Sequence, residues 1–185
     1  MATFRNAVAT GLLYTAMTFP FAVGTLSADD SFSPSQALMP FKQQMQQTLR
    51  GAMQEGGPLN AIDVCQTDAP AIAQRASEAA GTTVKMGRSS TRLRNPDNAP
   101  QSWLEPVLTA FDDDPMAARP KQWQLDDGRQ AYVEPIIAGA PCMACHGQAL
   151  SEDLSASLNE RYPDDQAVGY QVGDLRGVFW VTWQE

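Results

Sequence analysis

Residues 178–183 read Val-Phe-Trp-Val-Thr-Trp and form an apolar run close to the end of the 185-residue chain. Bulky side chains occupy consecutive positions, so both faces of an extended segment here are apolar. Bulky aromatic and β-branched residues also favour strands. The run therefore predicts a strand in the middle of a sheet, with both of its faces covered.

The segment before this run predicts an antiparallel hairpin. Trp123 and Leu125 alternate with polar residues, Asp127-Gly128 is a hairpin turn signal, and residues 129–137 form the returning strand. Residues 82–88 are typical of a further strand. We therefore expect a small, mostly antiparallel sheet.

Helical periodicity dominates the first half of the chain. Apolar residues recur at spacings of three and four, and Gly56-Gly57-Pro58 is expected to end this first helix; the stripe is Leu38, Phe41, Met45, Leu49 and Met53. Shorter helices are expected over 61–66 and after Asp68, and others over 103–111 and 150–161. The predicted fold class is α+β, with N-terminal helices packed beside an antiparallel sheet.

Residues 1–28 have the order of a secretory signal peptide. Arg5 is followed by an apolar stretch, and the small residues Gly24, Ser27 and Ala28 precede two aspartates. The apolar stretch is interrupted by threonines and Pro20, which makes it a poor membrane anchor. We expect cleavage after Ala28, an N-terminal helix within 29–57, a domain over 58–185, and a periplasmic location without a stable membrane span.

The charge excludes one class of partner. Thirteen basic and twenty-one acidic residues give a net charge of −8, which is the wrong sign for a protein that neutralises nucleic-acid phosphates. The chain has one histidine, so a single chain cannot build a two-histidine metal site.

Residues 142–147, Cys-Met-Ala-Cys-His-Gly, carry the chemistry. The spacing Cys142-x-x-Cys145-His146 is that of a c-type haem attachment site. Two thiols form thioethers with the two vinyl groups of one porphyrin, and the adjacent histidine becomes the proximal iron ligand. A zinc site needs four ligands, and beyond this motif the chain offers only one more cysteine and no more histidine. A redox dithiol does not need the histidine. The sequence predicts one covalent haem c per chain.

The second axial ligand stays open on spacing alone. Cys65 is the remaining thiol, although a free cysteine is usually a small buried hydrophobe. Met86 is the best methionine candidate. Water or an open position is the third alternative.

Several segments together resemble the family of exported single-haem c-type domains with a PAS-like fold. The resemblance spans residues 58–183 and is carried by AIDVCQTDAP (61–70), RSSTRLRNPDNAP (88–100), YVEPI (132–136), CMACHG (142–147), RYPDDQAVGY (161–170) and GDLRGVFWV (173–181). It implies His146 and the thiolate of Cys65 as axial ligands. Arg88 and Arg94 then become candidates for pairing with the haem propionates, because a guanidinium binds a carboxylate with two hydrogen bonds.

Two functions compete on this basis. The first is a redox or small-ligand sensor, with a signalling protein as its partner. The second is a small soluble electron-transfer cytochrome, whose acidic surface steers a redox partner. Catalysis is not expected, because a peroxidase normally needs a base beside an open iron site and the sequence has no second histidine to supply it. A homodimer formed through the first helix is a further expectation.

Overall fold

The sheet is built around the apolar C-terminal segment. The structure is a computed structural model that describes residues 32–184. Strand β4 (Leu175–Trp183) lies between β1 (Lys85–Ser89) and β3 (Gln130–Ile137), and β2 (Lys121–Gln124) pairs with the outer side of β3. All pairings are antiparallel. The predicted central position of residues 178–183 is confirmed.

One face of the sheet packs against helix α2 (Glu105–Asp113). Leu108 and Phe111 of this helix form one buried cluster with Val133 and Val178 of the sheet. The periodicity of 103–111 predicts this apolar helix face, because residues three and four apart lie on the same side.

The other face contacts the long N-terminal helix α1 (Pro34–Ala80). The ring of Phe41 meets Phe179 edge-on, with 5.6 Å between ring centroids. Lys42 forms an ion pair with Glu134, and the Tyr132 hydroxyl donates to the same carboxylate at 2.9 Å. Helix α1 therefore packs beside an antiparallel sheet, which confirms the predicted α+β class.

Helix α1 differs from the predicted set of separate helices. Gly57 has φ 69° and ψ −160° and kinks the helix where the sequence predicts its end. Beyond the kink the helix continues to Ala80 without the break expected at Asp68. Ile62, Ala69 and Ile72 are all buried, so one continuous apolar side holds this half of α1 against the protein.

Helix α4 (Glu152–Arg161) packs on this second half of α1. The Ser151 hydroxyl accepts from the backbone N–H of Leu154, as an N-cap should. Leu154 and Leu158 then bury themselves against Ile62. This contact fixes the position of the half of α1 that carries Cys65.

The expected signal peptide, residues 1–28, lies outside the described residues. Within residues 32–184, no helix is long and apolar enough to cross a bilayer.

Candidate functional site

The Cys-x-x-Cys-His segment forms two short helical turns. A 3-10 turn (Ala140–Cys142) leads directly into helix α3 (Met143–His146). Side chains three residues apart in helical turns lie on the same side, so Cys142 and Cys145 project in a common direction. The Cys142 sulfur also accepts from the Gly139 N–H at 3.4 Å.

Gly147 allows the chain to leave this turn. Its N–H donates to the Met143 carbonyl at 3.1 Å, and an added Cβ would lie 2.6 Å from that oxygen. The carbonyls of His146 and Gly147 accept from the N–H groups of Tyr170 and Gly169, both at 2.9 Å. The segment is therefore fastened to the 169–170 loop on one side.

The backbone holds His146 as a neutral imidazole through one ring nitrogen, Nδ1. Its Nδ1 lies 2.7 Å from the Ala167 carbonyl oxygen, which can only accept, so Nδ1 carries the proton. Burial lowers the pKa of His146 to about 3, and the positive charges of Arg176, Arg94 and Arg88 act in the same direction. The lone pair is therefore on Nε2, as in a histidine that ligates a metal.

Helix α1 carries Cys65, whose charge acts on Cys145. Burial raises the pKa of the Cys145 thiol; Arg94 opposes this shift, while Cys65 and Cys142 add to it through their charges. Cys65 therefore lies within electrostatic range of Cys145 despite its distance along the chain. All three cysteines are free and partly buried.

Cys65 also lines a cavity of about 290 Å³ between α1, β1 and the 95–101 loop. This volume is near the lower end of the range for small-molecule sites. Met86, the other predicted sulfur ligand, is buried and lines the same cavity. The structure thus brings both predicted sulfur donors together and leaves the choice between them a prediction.

Arg88 and Arg94 occupy different environments. Arg88 lines the cavity beside Cys65. Arg94 instead forms a buried ion pair with Asp165 at 3.0 Å and donates to the carbonyls of Cys145 and Ala167, at 2.7 and 3.3 Å. The structure therefore gives Arg94 a positioning role, while its predicted pairing with a propionate stays a prediction.

Sequence reasoning assigned no role to two residues beside His146. The Tyr170 ring meets the His146 ring edge-on, with 6.2 Å between centroids. The guanidinium groups of Arg92 and Arg176 lie 4.0 and 5.4 Å from the Tyr170 ring centroid. The available signal was Arg176 itself, a charged residue inside an otherwise apolar strand.

The residues present fit a covalent haem. Two thiols, a neutral imidazole and a third thiol supply the donors that haem c requires. The hydroxyls of Tyr162 and Tyr170 and the Nε of Arg176 are buried without a hydrogen-bond partner, so polar groups are left for a bound molecule. No group of three or more His, Cys, Asp or Glu side chains in residues 32–184 could hold a metal ion.

Comparisons with known proteins identify the family of this chain. A family model described as Tll0287-like matches residues 26–183. A crystal structure of the cyanobacterial heme-protein Tll0287 is 26% identical in sequence, with a TM-score of 0.57. That match covers 82% of this chain and 94% of the other chain. No curated protein matches. Because the family model spans more than half of its residues, this chain belongs to the Tll0287-like family.

Proposed function

We propose that this chain is a c-type monohaem protein, with haem attached to Cys142 and Cys145 and with His146 and Cys65 as axial ligands of the iron. The observation that carries this proposal is that Cys142, Cys145 and His146 lie in one pair of helical turns, with His146 restrained through Nδ1 by the Ala167 carbonyl. The similarity to a protein described as a cyanobacterial heme-protein supports it.

Each ligand would have a distinct task. The haem supplies a redox-active iron. The Ala167 carbonyl orients His146 through Nδ1, which leaves Nε2 for the iron. Cys65 supplies a soft anionic donor, which stabilises ferric over ferrous iron and lowers the reduction potential.

We place the protein in the periplasm as a redox or small-ligand sensor that acts on a signalling partner, not as an enzyme. A proton taken up by the Cys65 sulfur would make it a weaker donor to the iron, so the residue could act as a labile ligand. The cavity beside Cys65 offers room for a small molecule there. A ligand that responds to redox state is a plausible basis for a switch.

A second candidate function is electron transfer, which surface composition favours. Ile137, Val168 and Val172 are 44%, 36% and 63% exposed. They are neighbours in sequence of two backbone hydrogen bonds close to the attachment segment, residues 142–147. The N–H of Ala138 donates to Asp174, and the N–H of Gly169 donates to Gly147. Exposed apolar groups of this kind suit a transient protein contact.

Low-temperature EPR of the purified ferric protein tests the ligand assignment. We expect a low-spin signal with the narrow g-spread of thiolate ligation. Cys65→Ala should abolish it, because the anionic donor is lost. The matched control Met86→Leu, which changes the other sulfur in the same cavity, should keep it.

The opposite pattern, loss in Met86→Leu and retention in Cys65→Ala, would establish methionine ligation and favour the electron carrier. A high-spin signal in the wild type would show an open iron and reject both ligands.

The rate of electron self-exchange separates the two functions. Slow exchange with ligand release on reduction supports a sensor, and fast exchange without ligand binding supports an electron carrier.

A further inference from the structure

Three arginines act on His146 through their charges, and one of them is paired with a carboxylate. Arg88, Arg94 and Arg176 all act electrostatically on His146. Asp165 forms an ion pair with Arg94. Within residues 32–184 neither Arg88 nor Arg176 forms an ion pair. The cluster therefore carries two uncompensated positive charges.

Arg176 makes contacts that position its guanidinium, but one of its N–H donors has no acceptor. Its Nε is buried without a hydrogen-bond partner, and Nη1 makes a long contact of 3.4 Å to the Arg92 carbonyl. Its guanidinium lies 5.4 Å from the Tyr170 ring centroid, and that ring adjoins His146. A buried N–H without an acceptor is rare in proteins, so an acceptor is missing here.

Arg88 faces the same region from strand β1. It lines the cavity together with Cys65, and burial lowers the pKa of its guanidinium, while the charges of Cys65 and Tyr162 oppose that shift. Asp97 lines the same cavity, but it is exposed and forms no ion pair with Arg88 in the described part of the chain. Asp97 therefore does not neutralise Arg88.

Two buried cations without partners are unfavourable, because desolvation of a charge is compensated only by a close counter-charge. A haem brings two propionate carboxylates, which equals the number of unpaired arginines. A carboxylate can accept two hydrogen bonds from one guanidinium group. Ferric iron in a porphyrin carries one net positive charge, and the Cys65 thiolate cancels it. The propionates are thus left for the two arginines.

We propose that Arg88 and Arg176 each bind one haem propionate, whereas Arg94, already paired with Asp165, binds none. This assignment rests on the proposed function. It gives Arg176, on strand β4, the role that sequence reasoning gave to Arg94.

The test uses the exported, haem-loaded protein and its Arg88→Gln and Arg176→Gln variants. Arg94→Lys, which removes the guanidinium and keeps a cation opposite Asp165, is the control within the cluster. Arg129→Gln, which breaks an exposed pair with Asp127, is the control for loss of a charge. The mass of each protein reports covalent haem, resonance Raman reports the propionate bending vibrations, and redox titration reports the potential.

We expect each of the two Gln variants to shift the bending band of one propionate, and the two controls to leave both bands unchanged. Loss of a cation beside the haem favours ferric iron, so the ferrous-to-ferric ratio at a fixed potential should fall about tenfold. Arg88→Lys and Arg176→Lys should restore most of that ratio, because they keep the charge; they also serve where a Gln variant does not mature.

The outcomes separate the two proposals. Wild-type protein without the added mass of haem would overturn the proposed function and this assignment with it. Covalent haem with both propionate bands unchanged in Arg88→Gln and Arg176→Gln would overturn this assignment alone. A shifted band in Arg94→Lys would also contradict it.

Discussion

Arg94 joins three segments of the chain through a single side chain. It pairs with Asp165 and donates to the backbone of the attachment segment at Cys145 and of the following loop at Ala167. Asp165 also accepts from the Ala167 N–H at 2.8 Å. Both side chains of the pair are nearly inaccessible, at 8% and 5% exposure, so water cannot replace these contacts.

Arg94→Met should therefore be strongly destabilising. Removing one partner leaves Asp165 as a buried charge without a counter-charge, which typically costs about 3–5 kcal/mol. Urea unfolding of the haem-loaded proteins measures the loss. The comparison variant is Arg129→Met, because its pair with Asp127 is exposed and salt bridges of that kind contribute little. Equal stability losses in the two variants would show that the Arg94 pair is not special.

The attachment motif was predictable at the residue scale because its chemistry requires a fixed local spacing. The functions of the arginines were not predictable in this way. Arg88 and Arg94 look alike in sequence, yet Asp165, a distant residue, distinguishes them. No role was predicted for Arg176, because one charged residue in an apolar strand does not indicate which groups lie near it.

At the scale of elements, the kink in α1 determines what the helix can reach. The residues before Gly57 pack on the sheet through Phe41, and those after it pack on α4 through Ile62. One straight helix would continue in a single direction. The conformation of Gly57, φ 69° and ψ −160°, belongs to a region that residues with a Cβ essentially avoid.

Gly57→Ala should destabilise the protein by about 1–3 kcal/mol, because the added Cβ is strained by this backbone conformation and not by its neighbours. Gly51→Ala is a matched control: Gly51 lies in the helical part of α1, and its added Cβ would meet nothing within 4 Å. There alanine should stabilise by about 0.5–1 kcal/mol. Chemical denaturation of both variants measures the difference, and shifts of the same sign would contradict the role of the kink.

The elements also show where sequence reasoning about helices was wrong. Gly56-Gly57-Pro58 correctly located an interruption, but the break expected at Asp68 is absent. Pro70 restricts the backbone only locally, and the burial of Ala69 and Ile72 holds the chain in one helix across it. Tertiary packing outweighs a capping preference, which contributes only about 1 kcal/mol.

The whole molecule combines an acidic composition with a basic interior. Its net charge is −8, yet Arg88, Arg94 and Arg176 all act on His146 through their charges, and only Arg94 is paired with a carboxylate. In the proposed assignment, the haem propionates neutralise the other two arginines. Bound haem should therefore contribute to the stability of the entire fold.

A chain that cannot attach haem should unfold at a lower temperature. We expect Cys142→Ala/Cys145→Ala to lower Tm by about 5 °C or more relative to the haem-loaded wild type, because Arg88 and Arg176 lose their counter-charges. Calorimetry measures Tm, and the control Cys65→Ala keeps both attachment thiols and should retain covalent haem. An unchanged Tm in the double variant would mean that the protein alone satisfies these charges.

The sequence by itself determined the features that depend on local pattern. The apolar run at 178–183 specified a central strand and Asp127-Gly128 specified the hairpin, because periodicity and turn signals act over a few residues. For the same reason, the spacing Cys142-x-x-Cys145-His146 was enough to predict covalent haem. Only the tertiary structure decided that Cys65 lines a cavity with Met86 and Arg88 and that Asp165 pairs with Arg94. These contacts join distant segments, and their formation depends on how α1 kinks and where the sheet places each strand.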